Sequence, residues 1–206
     1  MDETLHQILV KTRELSFKHR IRGLTIEKIA DLLGVEKQVL QKYVKNKGDL
    51  IVQALEFERN SFKTIFDKND FEGVNAIDIL FTVSKELSIR FKDINPSLTA
   101  ELRRYYPAVY KKHITDKYNF IFNKISINIE KGTQQKMYRS DLSVELIARL
   151  YIARLMDIHD PQLFPTEKFS FDLLFHYTIE NFVRNIATED GWAYYEIKKK
   201  SFNKGE

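Results

Sequence analysis

The chain reads as an all-α protein: an N-terminal three-helix helix-turn-helix module over residues 1–48, then a larger helical domain over residues 49–206. Three observations predict this. Only 7 Gly and 4 Pro punctuate 206 residues, too few turn formers for a β-sandwich or barrel. Apolar residues recur at three- and four-residue spacing along most of the chain. The Gly-rich strand-to-helix loops that a doubly wound nucleotide-binding sheet needs do not occur in the sequence.

Composition removes several function classes. Cysteine is absent, which excludes disulfide frameworks, thiolate zinc sites and cysteine nucleophiles. The sequence has no HExxH, P-loop or Gly-x-Ser-x-Gly motif. Its five histidines, His6, His19, His113, His159 and His176, are scattered. The His159-Asp160 pair before Pro161 is by itself weak evidence for a metal. Neither catalytic residues, nor a metal, nor a cofactor is expected, and the chain reads as a non-enzyme. No stretch approaches the ~18–20 apolar residues of a membrane helix. The start, MDETLHQILVKTREL, is acidic and then amphipathic, unlike a secretory signal. A cytoplasmic protein without a membrane partner is the expectation.

The net charge is only +4, but it is unevenly placed. Between Phe17 and Lys47 lie eight basic residues (Lys18, Arg20, Arg22, Lys28, Lys37, Lys42, Lys45 and Lys47) against Glu27, Asp31 and Glu36. That segment carries +5, so the rest of the chain sums to −1. A concentrated positive excess suits a nucleic-acid-binding module, and equally a solvated helix surface.

Leu5, Ile8, Leu9, Thr12 and Leu15 fall on one face of a first helix over residues 5–17. After a break at Arg22-Gly23-Leu24, Thr25 is placed to cap a helix over Ile26–Leu33, with Glu27 favourable in its first turn. Ile26, Ile29, Ala30 and Leu33 share a face. Gly34 stops the helix, since glycine enters the left-handed conformation most cheaply. A second short helix, Lys37–Val44, is anchored by Val35, Leu40 and Val44 and exposes Lys37, Gln38, Gln41 and Lys42. Two short helices about a glycine turn, the second with a polar outer face, spell a helix-turn-helix. A longer helix runs from Lys47 to about Asp67.

The run Ile26-Glu27-Lys28-Ile29-Ala30-Asp31-Leu32-Leu33-Gly34-Val35, followed by Leu40, Tyr43, Lys47 and Leu50, resembles the TetR family of bacterial transcriptional regulators. Thr25, Ile29-Ala30, Gly34-Val35, Leu40, Tyr43 and Lys47 match its usual pattern over roughly residues 5–55. The resemblance implies a double-stranded DNA operator as partner. Carried over by position, it makes Thr25, Gln41, Tyr43 and Lys47 candidates for phosphate contact, and Lys37, Gln38, Val39 and Lys42 candidates for base edges. Packing against the first helix is the competing role for Tyr43, a plain cap-region lysine for Lys47, and partial burial for Val39. The sequence departs from the pattern at Ser16, Arg20, Glu36, Gln38, Val39 and Gln41. Glu36 replaces a serine cap with a negative charge near DNA, and Gln41 replaces a phosphate-touching tyrosine. Gln38 can still read adenine, and Val39 can pack on a thymine methyl.

Further helices follow over residues 74–92, from Pro96 to Tyr105, and from Pro107 to about Lys131, where Gly132 is expected to close the helix. Residues 144–158 and 169–187 are apolar beyond a single stripe, so each needs partners on more than one side. Pairing with a second copy in a four-helix interface would bury the surplus, as the resemblance also implies; burial inside a large monomeric core is the competing reading. Leu150, Ile152, Met156, Leu174, Tyr177 and Phe182 are the interface candidates. Phe81, Phe91, Tyr106, Tyr110, Tyr118 and Phe122 line either a pocket for a small apolar or aromatic ligand or a plain core. Arg103, Arg104 and His113 suit either an acidic ligand or the surface. The tail Lys198-Lys199-Lys200 reads as a solvated, frayed end.

The sequence thus leads to a homodimeric DNA-binding regulator, a repressor released from its operator by a small ligand. The alternative is a helical ligand- or protein-binding module that has lost specific DNA binding through changes such as Glu36 and Gln41.

Overall fold

In a computed structural model of the chain, residues 2–18, 24–91, 97–158, 160 and 162–202 are described, without the side chains of residues 16–18, 91, 97, 98 and 202. Arg20, Arg22, His159 and the side chains of Ser16, Lys18 and Phe91 therefore lie outside the described residues. The described residues form ten α-helices: α1 (Glu3–Lys18), α2 (Ile26–Leu33), α3 (Lys37–Tyr43), α4 (Lys47–Lys68), α5 (Ala76–Phe91), α6 (Ser97–Tyr105), α7 (Pro107–Gln134), α8 (Val144–Asp157), α9 (Phe171–Ile186) and α10 (Glu189–Phe202).

The chain divides into two compact units, and not at residue 48. The first comprises Met1–Lys68 with Asp93–Lys117, the second Asn69–Lys92 with Tyr118–Glu206. Helices α4 and α6 and the first turns of α7 thus belong with the three N-terminal helices. The physical reason is shared burial: Leu50 of α4 sits in one core with Ile8, Leu9, Ile29, Ala30, Leu33, Leu40 and Val44.

In the first unit, helix ends are closed by side chains as well as backbone. Asp2 Oδ1 accepts from the N–H of Thr4 at 2.9 Å and of Leu5 at 3.2 Å, which caps α1. Lys11 Nζ donates to the Leu33 carbonyl at 2.9 Å, tying α1 to the C-terminus of α2, where a cation is favoured. At the start of α4, Asn46 Oδ1 accepts from Asp49 N at 3.0 Å while Asp49 Oδ2 accepts from Lys45 N at 2.8 Å.

The second unit is built on Ile77, Ile129, Tyr138, Ala148, Ile179, Val183 and their neighbours. Helix α9 packs against α5, α8 and α10. A buried polar chain runs through this core: Tyr138 donates to Asn128 Oδ1 at 3.2 Å, and Asn128 Nδ2 donates to the Ala76 carbonyl at 2.8 Å.

Two expectations are corrected here. Gly132 does not close α7, which continues to Gln134. It is there because the Tyr138 ring lies where any β-carbon would stand. The C-terminal lysines do not fray either, because α10 is a full helix packed on α5 and α9. Lys198 pairs with Asp78 at 3.0 Å and Lys199 with Glu180 at 2.5 Å. Tyr195 is buried, and Arg184 lies over the Trp192 ring at 4.2 Å, a cation–π contact.

Candidate nucleic-acid interface

The helix-turn-helix forms as its residues dictate. Thr25, extended at φ −96° and ψ 167°, accepts from Lys28 N through its hydroxyl at 3.2 Å. Gly34 adopts φ +68° and ψ 34°. Its N–H donates to the Asp31 carbonyl at 3.1 Å, and that of Val35 to the Ala30 carbonyl at 3.0 Å. This double closure is a Schellman motif, which needs a left-handed residue at the Gly34 position. Glu36 precedes α3 without a side-chain capping bond.

Helix α3 is held from below by Leu40, fully buried, and by Val44 directly after it. Its C-terminal carbonyl, that of Tyr43, accepts from Gln53 Nε2 of α4 at 3.0 Å. With that face spent, Lys37, Gln38, Gln41 and Lys42 are exposed. Val39 and Tyr43 are half-buried, and Tyr43 packs on the core. Thr25 is exposed beside them in sequence at the head of α2. Seven of the eight candidates thus belong to the two short helices and their cap.

Lys47 is different. It opens α4, is half-buried and lines a cleft inside the first unit. Burial lowers its ammonium pKa, and the carboxylate of Glu101 on α6 opposes that.

The sequence did not reveal how closely the candidates are matched by the protein's own acids. Lys37 Nζ pairs with Glu27 Oε1 at 2.7 Å, and chiefly this bond holds the Glu27 carboxyl down at about 2. Tyr43 donates to Asp2 Oδ1 at 2.9 Å, the largest cause of a lowered Asp2 pKa. Glu27 and Lys37 are ten residues apart on different helices, and Asp2 and Tyr43 are 41 apart. No periodicity within one helix could have flagged either pair.

The described aromatic candidates divide between the two units. Phe81 and Phe122 pack against the core of the second unit, and Phe81 stacks on Tyr195 with centroids 5.1 Å apart. Tyr118 lies parallel to Phe122 at 6.2 Å, and its hydroxyl accepts from Arg149 Nη1 at 3.0 Å. Tyr106 and Tyr110 belong to the first unit, and His113 is largely buried there, its imidazole held down at about 4 chiefly by burial.

Among the interface candidates, Leu150 and Tyr177 are exposed at 56% and 62%, while Met156 and Leu174 are half-buried. Ile152 and Phe182 are corrected: both are buried in the core of their own subunit and have no surface to offer a second copy. Leu146 and Leu173, exposed at 56% and 45%, stand on the same two helices and were missed. They sit one turn from Leu150 and Tyr177, a spacing visible in the sequence.

The ten helices of the described residues, with the glycine-turned pair second and third, take the fold of solved TetR-family transcriptional regulators. Solved structures with that fold superpose over most of the chain. A TetR-family regulator from Agrobacterium tumefaciens is 13% identical, covering 89% of this chain and 97% of its own, with a TM-score of 0.67. E. coli NemR in its reduced form is 15% identical, covering 90% and 98%, at 0.70. The FadR regulator of Bacillus subtilis, solved with stearoyl-CoA, is 19% identical, covering 87% and 97%, at 0.66. No protein-family profile matches the sequence, and no curated protein matches it. Among the described residues no helix is long and apolar enough to cross a membrane, and no three His, Asp or Glu side chains gather to hold a metal.

Proposed function

We propose that the chain is a homodimeric, cytoplasmic DNA-binding transcriptional regulator, a repressor released from its operator by a small ligand. The observation that carries this is α3: anchored by Leu40 and Val44, it turns Lys37, Gln38, Gln41 and Lys42 outward. That is the arrangement a recognition helix needs to reach base edges in a major groove. Thr25, Tyr43 and Lys47 flank it as phosphate contacts, Lys47 after a swing away from Glu101.

Exposed Leu146, Leu150, Leu173 and Tyr177 on α8 and α9 support a second copy as partner, because an apolar surface of this kind is stabilised by burial. Two subunits would then present two recognition helices to half-sites about 34–36 Å apart. Ligand control follows from linkage: a ligand weakens DNA binding only by its differential affinity for the two states. The neighbour solved with stearoyl-CoA supports a small ligand here too.

Selection of bound fragments from genomic DNA, followed by titration against random DNA, tests the reading. A regulator should show a specificity ratio of about 10³ or more and a steep fall of affinity with salt. A ratio near one supports the second reading, a helical binding module without specific DNA recognition. What favours that reading is the pairing of Lys37 and Tyr43 with Glu27 and Asp2.

A further inference from the structure

The Glu27–Lys37 ion pair joins the two short helices where each begins. Glu27 stands in the first turn of α2, two residues after the Thr25 cap, and Lys37 is the first residue of α3. Their charged atoms are 2.7 Å apart, yet the side chains are open to solvent, Glu27 at 58% and Lys37 at 47%. Exposed pairs of this kind add little to stability. Holding the helices together falls instead to Leu33 and Leu40, which are almost wholly buried.

The pair sets a cation and an anion side by side, next to the exposed Gln38. Glu27 is ionised at any working pH, because the Lys37 bond first, then its own N–H and the Thr25 hydroxyl, hold its carboxyl down at about 2. An ionised carboxylate only accepts hydrogen bonds. DNA phosphates offer it no donor and repel it. In a major groove the base-edge donors are the amino groups of cytosine and adenine.

The two kinds of base pair differ in how they meet such an arrangement. A G·C pair shows two neighbouring acceptors, guanine N7 and O6, and then the cytosine N4 donor. An A·T pair sets its donor between two acceptors, with a methyl group beyond. A cation over adjacent acceptors with an anion over the next donor matches the first and not the second. Residues that open a recognition helix are the ones that reach base edges. We propose that Glu27 is a specificity-determining residue, and that the Glu27–Lys37 pair reads one G·C base pair as a unit, with Lys37 on guanine and Glu27 on cytosine. This deepens the operator-binding reading above and rests on it, fixing one base pair of each half-site.

Selection from a randomised duplex pool by the full chain, followed by affinities for all four base pairs at each selected position, tests it. One position should favour G·C over A·T about tenfold or more. Glu27→Ala and Lys37→Ala should each cut that preference about fivefold or more at this same position, with melting nearly unchanged. The double variant should lose little more, because the two residues act together. Exchanging the residues, Glu27→Lys with Lys37→Glu, restores an ion pair with its charges transposed. That variant should favour C·G over G·C at the position, a reversal that a merely structural pair would not give. Relaxation at two different positions, a preference untouched by either substitution, or retention of G·C by the exchanged variant overturns this proposal alone. A pool from which no sequence is preferred overturns it together with the reading beneath it.

Discussion

The hydroxyl of Tyr43 donates to Asp2 at 2.9 Å, joining the last residue of α3 to the acid that caps α1. A side chain matched by resemblance to a DNA phosphate is therefore already engaged by a carboxylate, and phosphate must displace an anion to reach it. Asp2→Asn retains an oxygen for the cap while removing the charge. It should bind operator DNA about two- to fivefold more tightly at low salt, with the gain fading as salt screens it. Fluorescence anisotropy across a salt series reads this. Equal affinities at every salt concentration would place Tyr43 away from the phosphates.

The Glu27–Lys37 pair predicts an acid limit for the recognition helix. Glu27 titrates at about 2 in the folded chain against an ordinary value of 4.5. A depressed carboxyl pKa means the bond is whole above about 4.5 and is lost as the pH falls through about 2. A carbon-detected NMR titration should give Glu27 a midpoint near 2, moving toward 4.5 in Lys37→Ala. A parent midpoint near 4.5 would mean that the pair does not form in solution.

His113 predicts acid sensitivity of the first unit. Burial first, then the charges of Lys117 and Arg59, hold its imidazole at about 4 against 6.5 when free, with Asp116 opposing. Its Nδ1 is buried without a hydrogen-bond partner. Below 6.5 the unfolded chain takes up a proton that the folded chain refuses. Stability is therefore complete above 6.5 and falls as the pH drops toward 4, by up to about 3 kcal/mol. Melting curves of His113→Leu should be flatter than the parent's between pH 7 and 4. Equal slopes would assign the acid limb to other groups.

Two substitutions separate phosphate contact from base reading. Lys47→Ala should weaken binding to all sequences alike and lower the salt slope by about one. Gln38→Ala should change preference among sequences, by about 1–3 kcal/mol at one base pair. Mobility shifts on operator and point-mutated duplexes distinguish them. Unchanged operator binding in both variants would remove α3 and the start of α4 from the interface.

A charge on the apolar face of α8 tests the dimer. Leu150 is exposed at 56%, so Leu150→Glu should leave the subunit folded and shift light-scattering mass to that of one chain. A variant that remains at twice the mass would show that the copies meet elsewhere.

The helix-turn-helix was legible because each of its parts is a local rule. The Thr25 cap, the Gly34 stop and the Leu40 and Val44 anchors all act within a few residues of themselves, and all stand as the sequence predicts. What escaped depends on distant partners. Glu27 and Asp2 gave no sign of their roles because each finds its partner across helices. Helix α10 was missed because the Lys198-Lys199-Lys200 run outweighed Trp192 and Tyr195, which mark its buried side. Ile152 and Phe182 were misplaced because composition shows that a helix needs partners all round without showing which side faces its own core. Gly132 was read as a helix stop because its collision partner, Tyr138, lies beyond the helix end.

That collision closes one position to evolutionary drift. At Gly132 even a methyl group meets the Tyr138 ring, and Tyr138 steadies Asn128, which in turn holds the start of α5. A single added carbon on α7 would be felt two hydrogen bonds away. Lineages descending from this sequence are free to rewrite the exposed residues of α3, and with them the operator, while this one backbone site stays bare.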